Sequence, residues 1–268
     1  MTFDKVRIGH GTREWSESSY NIGSGCRHAC IYGFCRQHAL RFGKIKTGEE
    51  WAVEHCSASK IVKRFGRRKG VIMMPTMHDI TPGPYLHGSL VVLRSMLEAG
   101  NEVLVVSKPH LECVVRICEE LEEFKDRLMF RFTIGSTSDD DLAFWEPGAP
   151  FFSERLASLH YARGHNYETS VSMEPLLCST DGALDLVQAV DPLVTDTIWI
   201  GIMNKARERT AWIKEDDPRR PELETRLQQI ERTAHAINLR RLFVALEPNL
   251  KVRWKDSIKA ALNLPAQV

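Results

Sequence analysis

The chain has 268 residues, 43% of them apolar and 26% charged, enough to bury a sizeable core and with no compositional sign of disorder. A formal net charge of +1 argues against an extended nucleic-acid surface as the dominant feature. No stretch approaches the roughly 18 consecutive apolar residues of a membrane span, and MTFDKVRIGHGTREWSESSY has no apolar export core, so the expectation is a cytoplasmic protein with no membrane partner.

The first predicted element is a short β-prone run, Ser19 to Ile22, followed by a Gly-Ser-Gly turn and three cysteines within ten residues, Cys26, Cys30 and Cys35. A short helix is predicted over Gln37 to Phe42, and a longer one over Glu50 to Phe65 that runs into RFGRRKG. The cations Lys60, Lys63, Arg64, Arg67, Arg68 and Lys69 read as a solvated helix face or a phosphate-backbone site. From Val71 the chain alternates. Strands are predicted at Val71–Pro75, Glu102–Ser107, Leu128–Ile134, Tyr167–Met173 and Thr197–Ile202, and helices at Gly88–Ala99, Leu111–Phe124, Ser153–Arg163, Ala183–Val190 and Glu222–Asn238. Near-continuous apolar strands separated by helices imply right-handed βαβ units and a parallel sheet, six strands with the run before the cysteines.

Six such units suit a doubly wound sheet or an incomplete barrel. The residues that follow the strands decide between them: the cysteines, Met77-His78-Asp79, Ser107-Lys108-Pro109, Gly135-Ser136-Thr137, Glu174-Pro175 and Met203-Asn204-Lys205. Chemistry collected at successive carboxyl ends is the habit of a barrel. No GxGxxG or GxxxxGK[ST] follows any strand, which weakens the dinucleotide and nucleotide-triphosphate readings. The expected architecture is α/β, a partial (β/α)6 TIM barrel in one domain over 1–268, with 205–268 as a C-terminal helical extension. Within that extension Lys205–Leu223 is a long charged connection, functional or mobile, and a last helix is predicted from about Lys255 with Ile258, Ala261 and Leu262 on one face.

Seven cysteines, three of them clustered, fit a reducing compartment better than a disulfide framework. Thiols spaced C-x3-C-x4-C on a glycine-punctuated loop can aim at one soft-metal or iron–sulfur centre, and three ligands to a four-iron cubane leave one iron for a small molecule. The alternatives are three small buried hydrophobes, or a zinc knuckle whose fourth ligand is His28 or His38.

GCRHACIYGFCR resembles the cluster loop of radical SAM enzymes, and most closely that of the spore photoproduct lyase-like branch. The usual loop is C-x3-C-x2-C. Here Gly33 stands at the third cysteine position and the thiol follows two residues later at Cys35, the expected displaced ligand. The Ser-Lys pair at 107–108, FRFTIGSTSDD, EPGAPFFSERLASL and SMEPLL are similar to counterparts in the same branch, in the same order, and extend the resemblance over roughly Gly25 to Asn204. The resemblance implies a [4Fe-4S] cluster on Cys26, Cys30 and Cys35 and S-adenosylmethionine chelated to the unique iron. One electron, from a donor such as flavodoxin or ferredoxin, then yields methionine and a 5′-deoxyadenosyl radical that abstracts hydrogen from substrate. It implies lyase- or transferase-like chemistry, and the branch points to nucleic acid as substrate.

The residues suit that cofactor on their own terms. Lys108 can meet a carboxylate, Ser107, Ser136 and Glu174 offer acceptors for an ammonium and ribose hydroxyls, Asp79 is placed for an ammonium or a substrate, and Tyr32 and Phe34 would wall a cluster. His78 carries less expectation, as a lone histidine is more often a satisfied neutral residue; Cys113 and Cys118 read as buried small hydrophobes, and Cys178, after the fifth strand, reads as plain packing before it reads as a thiol that approaches substrate. A non-catalytic metal- or nucleic-acid-binding protein on the same barrel is the competing reading, and Gly33 is the feature that favours it.

Overall fold

The apolar runs VIMM, EVLVVS, LMFRFT, ETSVSM and IWI each bury one face against helices, and they form the centre of the computed structural model, which describes residues 11–265. The first ten residues, part of the N-terminal stretch read above for export, lie outside that range. Strand β1 (Ser18–Ser19) leads into β2 (Gly23–Ser24), the cysteine loop and helix α1 (Phe34–Arg41); β3 (His55–Cys56) and α2 (Ala58–Ile61) precede β4 (Val71–Met74). Then follow α3 (Pro84–Glu98), β5 (Glu102–Ser107), α4 (Leu111–Glu120), β6 (Leu128–Thr133), α5 (Asp139–Trp145), α6 (Phe152–Gly164), β7 (Glu168–Met173), α7 (Thr180–Val190), β8 (Ile198–Ile200) and α8 (Ala206–Thr210). Helices α9 (Arg220–Thr233) and α10 (Ala236–Leu246), strand β9 (Val252–Trp254) and helix α11 (Asp256–Leu262) close the described chain.

Seven strands make one parallel sheet in the order β1-β4-β5-β6-β7-β8-β9. Each new strand adds to the same edge. Among the described residues the order never reverses, so they contain no topological switch point, and an open barrel rather than a doubly wound sheet results. The outer face (Ile72, Met74, Val103, Val105, Phe130, Phe132, Val171, Met173, Ile198, Ile200) joins the helices in one continuous core.

Four expectations about elements need correction. The sheet has a seventh strand, β9, inside the stretch read as a helical extension. The helix expected over Glu50 to Phe65 is instead a 3₁₀ turn at Glu49–Ala52, strand β3 pairing antiparallel with β2, and the one-turn α2. Tertiary pairing overrides propensity there, because the backbone of this segment is needed to hold the cysteine loop. Lys63 to Lys69 therefore lie outside any helix, and no helical face carries the basic run. The helix expected over Glu222 to Asn238 is broken between α9 and α10, and α5 lies in a loop with no predicted element.

Candidate active site

The cysteine loop is fixed from three sides. Gly25 has φ +80° and a Cβ there would stand 1.9 Å from the Val53 carbonyl oxygen, so only glycine lets β2 and the 51–55 backbone close; Cys26 N–H then donates to Trp51 O at 2.7 Å. The Tyr85 hydroxyl, from α3, donates to the carbonyls of Ser24 and Gly25 at 2.8 and 2.9 Å. From the other side comes the EPGAPFFSERL stretch. Gly148 N–H donates to His28 O at 3.0 Å, and Ile31 N–H to Trp145 O at 2.8 Å. The Tyr32 hydroxyl donates to Glu146, whose other oxygen lies 2.5 Å from the Arg155 guanidinium, both side chains fully buried. The motif that carries much of the resemblance is thus the back wall of the loop.

Cys26, Cys30, Tyr32, Phe34 and Cys35 open into a cleft of about 450 Å³ at the carboxyl ends of the strands, with Asp79, Lys108, Glu174, Arg209 and Lys255 on its other walls. Gly33 precedes α1, and Cys35 on that helix turns its Sγ toward Thr76 O, 4.0 Å away. All seven cysteines are free. Burial pushes the Cys30 and Cys35 thiols up to about 11 and Cys26 well above its ordinary value, so metal binding at these positions releases protons.

Asp79 is the polar hub of the floor. Its carboxylate accepts from Lys108 N–H (2.7 Å), Ser107 Oγ (3.0 Å) and His28 Nδ1 (2.9 Å), and lies 3.5 Å from Lys108 Nζ and 3.7 Å from Cys26 Sγ. Burial works against its charge, but the Lys108 ammonium and then His28 hold the carboxyl well below the usual range. Lys108 is in turn held well above its ordinary value, as Asp79 and Cys30 outweigh its burial. With Nδ1–H of His28 given to Asp79, its Nε2 meets His110 Nε2 at 2.9 Å, and His110 Nδ1 lies 3.6 Å from Glu154. Burial, then His28, pushes His110 down to about 4.

The expected site residues divide. Cys26, Cys30, Cys35, Tyr32, Asp79, Lys108 and Glu174 share the cleft; Ser107 supports it through Asp79. Ser136 is fully buried away from the cleft lining, donating to Asp141 Oδ2 and accepting from Ser138 N–H, both at 3.0 Å. His78 lines the cleft but is satisfied by Ile22 N–H and Asp79 O and stacks on Tyr85. Cys178 belongs to the outer core instead. Sequence reasoning missed Arg209 and Lys255. Lys255 is 2% exposed, 2.5 Å from Glu14 and 3.6 Å from Glu174, with its ammonium 4.3 Å from the Trp15 ring centroid. Cys26, His28 and Asp79 also bring a sulfur, a nitrogen and an oxygen within 4.8 Å of one another.

No family model matches the sequence. An uncharacterised protein of Acidianus two-tailed virus, ORF301, is 24% identical over 196 residues, covering 68% of this chain and 63% of its own. Among solved structures, Streptococcus suis SuiB bound to precursor peptide SuiA superposes with a TM-score of 0.54 at 10% identity over 92% of this chain. Spore photoproduct lyase complexed with dinucleoside spore photoproduct superposes with 0.50 at 12% identity over 94%. The fold they share with this chain is an open α/β barrel on a parallel sheet. The chain spans half of the SuiB chain and 79% of the lyase chain. At these identities the likeness is one of fold alone.

Proposed function

We propose that this chain is a radical SAM enzyme in one domain, acting in a reducing, cytoplasmic setting with a flavodoxin- or ferredoxin-type electron donor. The observation that carries the reading is the convergence of Cys26, Cys30 and Cys35 with Lys108, Asp79 and Glu174 on one cleft at the strand ends. The donor set fits a [4Fe-4S] cluster: three soft, disulfide-free thiols on a rigidly backed loop, with oxygen and nitrogen groups set around them. Cys26, Cys30 and Cys35 would hold the cluster, and when reduced it supplies the electron that splits S-adenosylmethionine into methionine and a 5′-deoxyadenosyl radical. The protein's own part is binding and exclusion of water. Lys108, already charged and oriented by Asp79, meets the cofactor carboxylate; Asp79 and Glu174 supply acceptors for its ammonium and hydroxyls, with Ser107 keeping Asp79 in register; Tyr32 walls the cluster side. Ser136 contributes through the loop after β6 rather than from the cleft lining. The substrate is unassigned.

Anaerobic reconstitution with iron and sulfide tests the reading. A brown protein that releases 5′-deoxyadenosine with dithionite and S-adenosylmethionine supports it; a colourless protein that retains only zinc sinks it. The Cys26, His28 and Asp79 grouping is what favours a zinc-binding, non-catalytic alternative. Against that, His28 and Asp79 are already bonded to each other, and Asp79 to Lys108, so zinc would have to break both contacts.

A further inference from the structure

Arg36 follows Cys35 on α1 and is 2% exposed, among the largest fully buried side chains of the molecule. Its Nε and Nη1 atoms have no hydrogen-bond partner, and it has no ion pair among the described residues. The guanidinium instead lies 4.4 Å from the centroid of the Trp212 ring. That ring is itself clamped. Its Nε1–H donates to Ile31 O of the cysteine loop at 3.0 Å, the Arg219 guanidinium lies 5.0 Å from the same centroid, and Gly48 leaves room for it, since a Cβ there would come within 2.2 Å of the ring. Arg219 is satisfied by Asp217 and Glu49. Arg36 is the cation left over: Cys30, then Glu49, then Cys26 are the groups whose negative charge acts on it, and Glu49 is already paired with Arg219. The charged connection between β8 and α9 therefore acts as a strap, carrying Trp212 against the cysteine loop and Arg36 with it.

A buried guanidinium stays protonated and needs an anion. A cubane held by three thiolates is anionic, and more so by one electron when reduced, so a fixed positive charge beside it favours the reduced form. We propose that Arg36, held on the Trp212 ring, is the positive charge that sets the reduction potential of an iron–sulfur cluster on Cys26, Cys30 and Cys35. This rests on the cluster reading given above. Arg36 is a positioning and tuning residue, not a ligand.

Potentiometric titration of the reconstituted protein, read by the electron paramagnetic resonance of the reduced cluster, tests it. Arg36→Gln is expected to shift the potential to lower values, and Arg36→Lys to return it toward wild type. Gly48→Ala removes no charge but drives the Trp212 ring off its seat, and is expected to shift the potential in the same direction by less. A wild-type protein that takes up no cluster overturns both this inference and the reading beneath it. A wild-type cluster whose potential is unchanged in Arg36→Gln overturns this inference alone. Failure of Arg36→Lys to restore the shift does the same, since charge is then not the cause. If Arg36→Gln does not fold, Gly48→Ala decides, and a wild-type potential in that variant overturns the inference.

Discussion

The two faces of the same sheet are built on opposite terms. Outward, β4 to β8 present Ile72, Met74, Val105, Phe130, Phe132, Val171 and Ile200, which pack under the helices with no polar group to satisfy. Inward, the same strands begin apolar, with Val71, Met73, Leu104 and Met129, and turn polar toward β6 and β7, with Arg131, Ser170 and Ser172. Every inward polar group needs a partner. Arg131 is bonded to Ser170 and Asp196, and Lys255 is held between Glu14 and Glu174. The outer face is tolerant in kind and sensitive to volume; the inner face is sensitive to the identity of single atoms. Ranked by size of effect, mutations separate the two.

The largest effect belongs to the cysteine loop. If Cys35 is the third ligand, Cys35→Ala removes the cluster as completely as Cys26→Ala or Cys30→Ala, read as iron and sulfide content per chain, because two thiolates do not hold a cubane. Retention of half or more of the iron in Cys35→Ala would show that the thiol is not a ligand.

Next come two changes of similar energetic size, one on the outer face and one in the backing of the cysteine loop. Phe130→Ala on the outer face should cost about 3–5 kcal/mol of stability by the large-to-small rule and leave cluster loading of the folded fraction unchanged. Glu146→Ala, behind the cysteine loop, should also cost about 3–5 kcal/mol, since it strands the Arg155 charge, but it should lower cluster loading as well because Tyr32 loses its acceptor. Equal loading in the two variants would break the distinction. The Glu146 carboxyl is held below its ordinary value because Arg155 and then Lys108 outweigh its burial. Its contribution is thus complete above the ordinary glutamate range and lost as pH falls through the lowered value. Glu146→Gln should flatten acid unfolding measured by circular dichroism.

What could be read from the sequence follows the same division. The strand–helix alternation is legible because the outer face writes apolar runs into β4 to β8, and the thiols and Lys108 are legible because strand ends and cysteine spacing are local signals. Strand β9 is not: VRW is three residues between Lys251 and Lys255, and only Val252 and Trp254 face the core. Its identity as a strand depends on the edge that β8 offers. The partnerships that complete the site are equally silent. Lys255 with Glu14, Trp212 with Ile31, and Glu146 with Tyr32 join residues far apart in sequence with no periodic trace. Helix α2 and strand β3 replace a longer predicted helix for that reason too, since the 51–55 backbone is spent on the cysteine loop.

A further variant tests the cleft alone. Lys108→Ala leaves Asp79 without its ammonium partner and a bound cofactor carboxylate without its cation, so S-adenosylmethionine binding should weaken by about two orders of magnitude or more, the scale of a desolvated charge pair. The absorption spectrum of the cluster should stay. Loss of the spectrum as well would make Lys108 a structural residue.

The smallest expected effect is at Ser136, where the sequence reading and the geometry pull apart. As a cofactor contact it would matter to binding; as found, its hydroxyl bridges Asp141 and the Ser138 amide at the start of α5. Asp141 also pairs with Arg226 of α9, so the serine stiffens a junction between the loop after β6 and the helices that cover it. Removing a hydroxyl of this kind costs about 1 kcal/mol, the net worth of an ordinary hydrogen bond. Ser136→Ala should therefore lower the melting temperature by a few degrees at most and leave S-adenosylmethionine affinity, measured by calorimetry on the reconstituted protein, within about twofold of wild type. A tenfold loss of affinity at unchanged stability would return Ser136 to the cofactor site and require the loop after β6 to move when the cofactor binds.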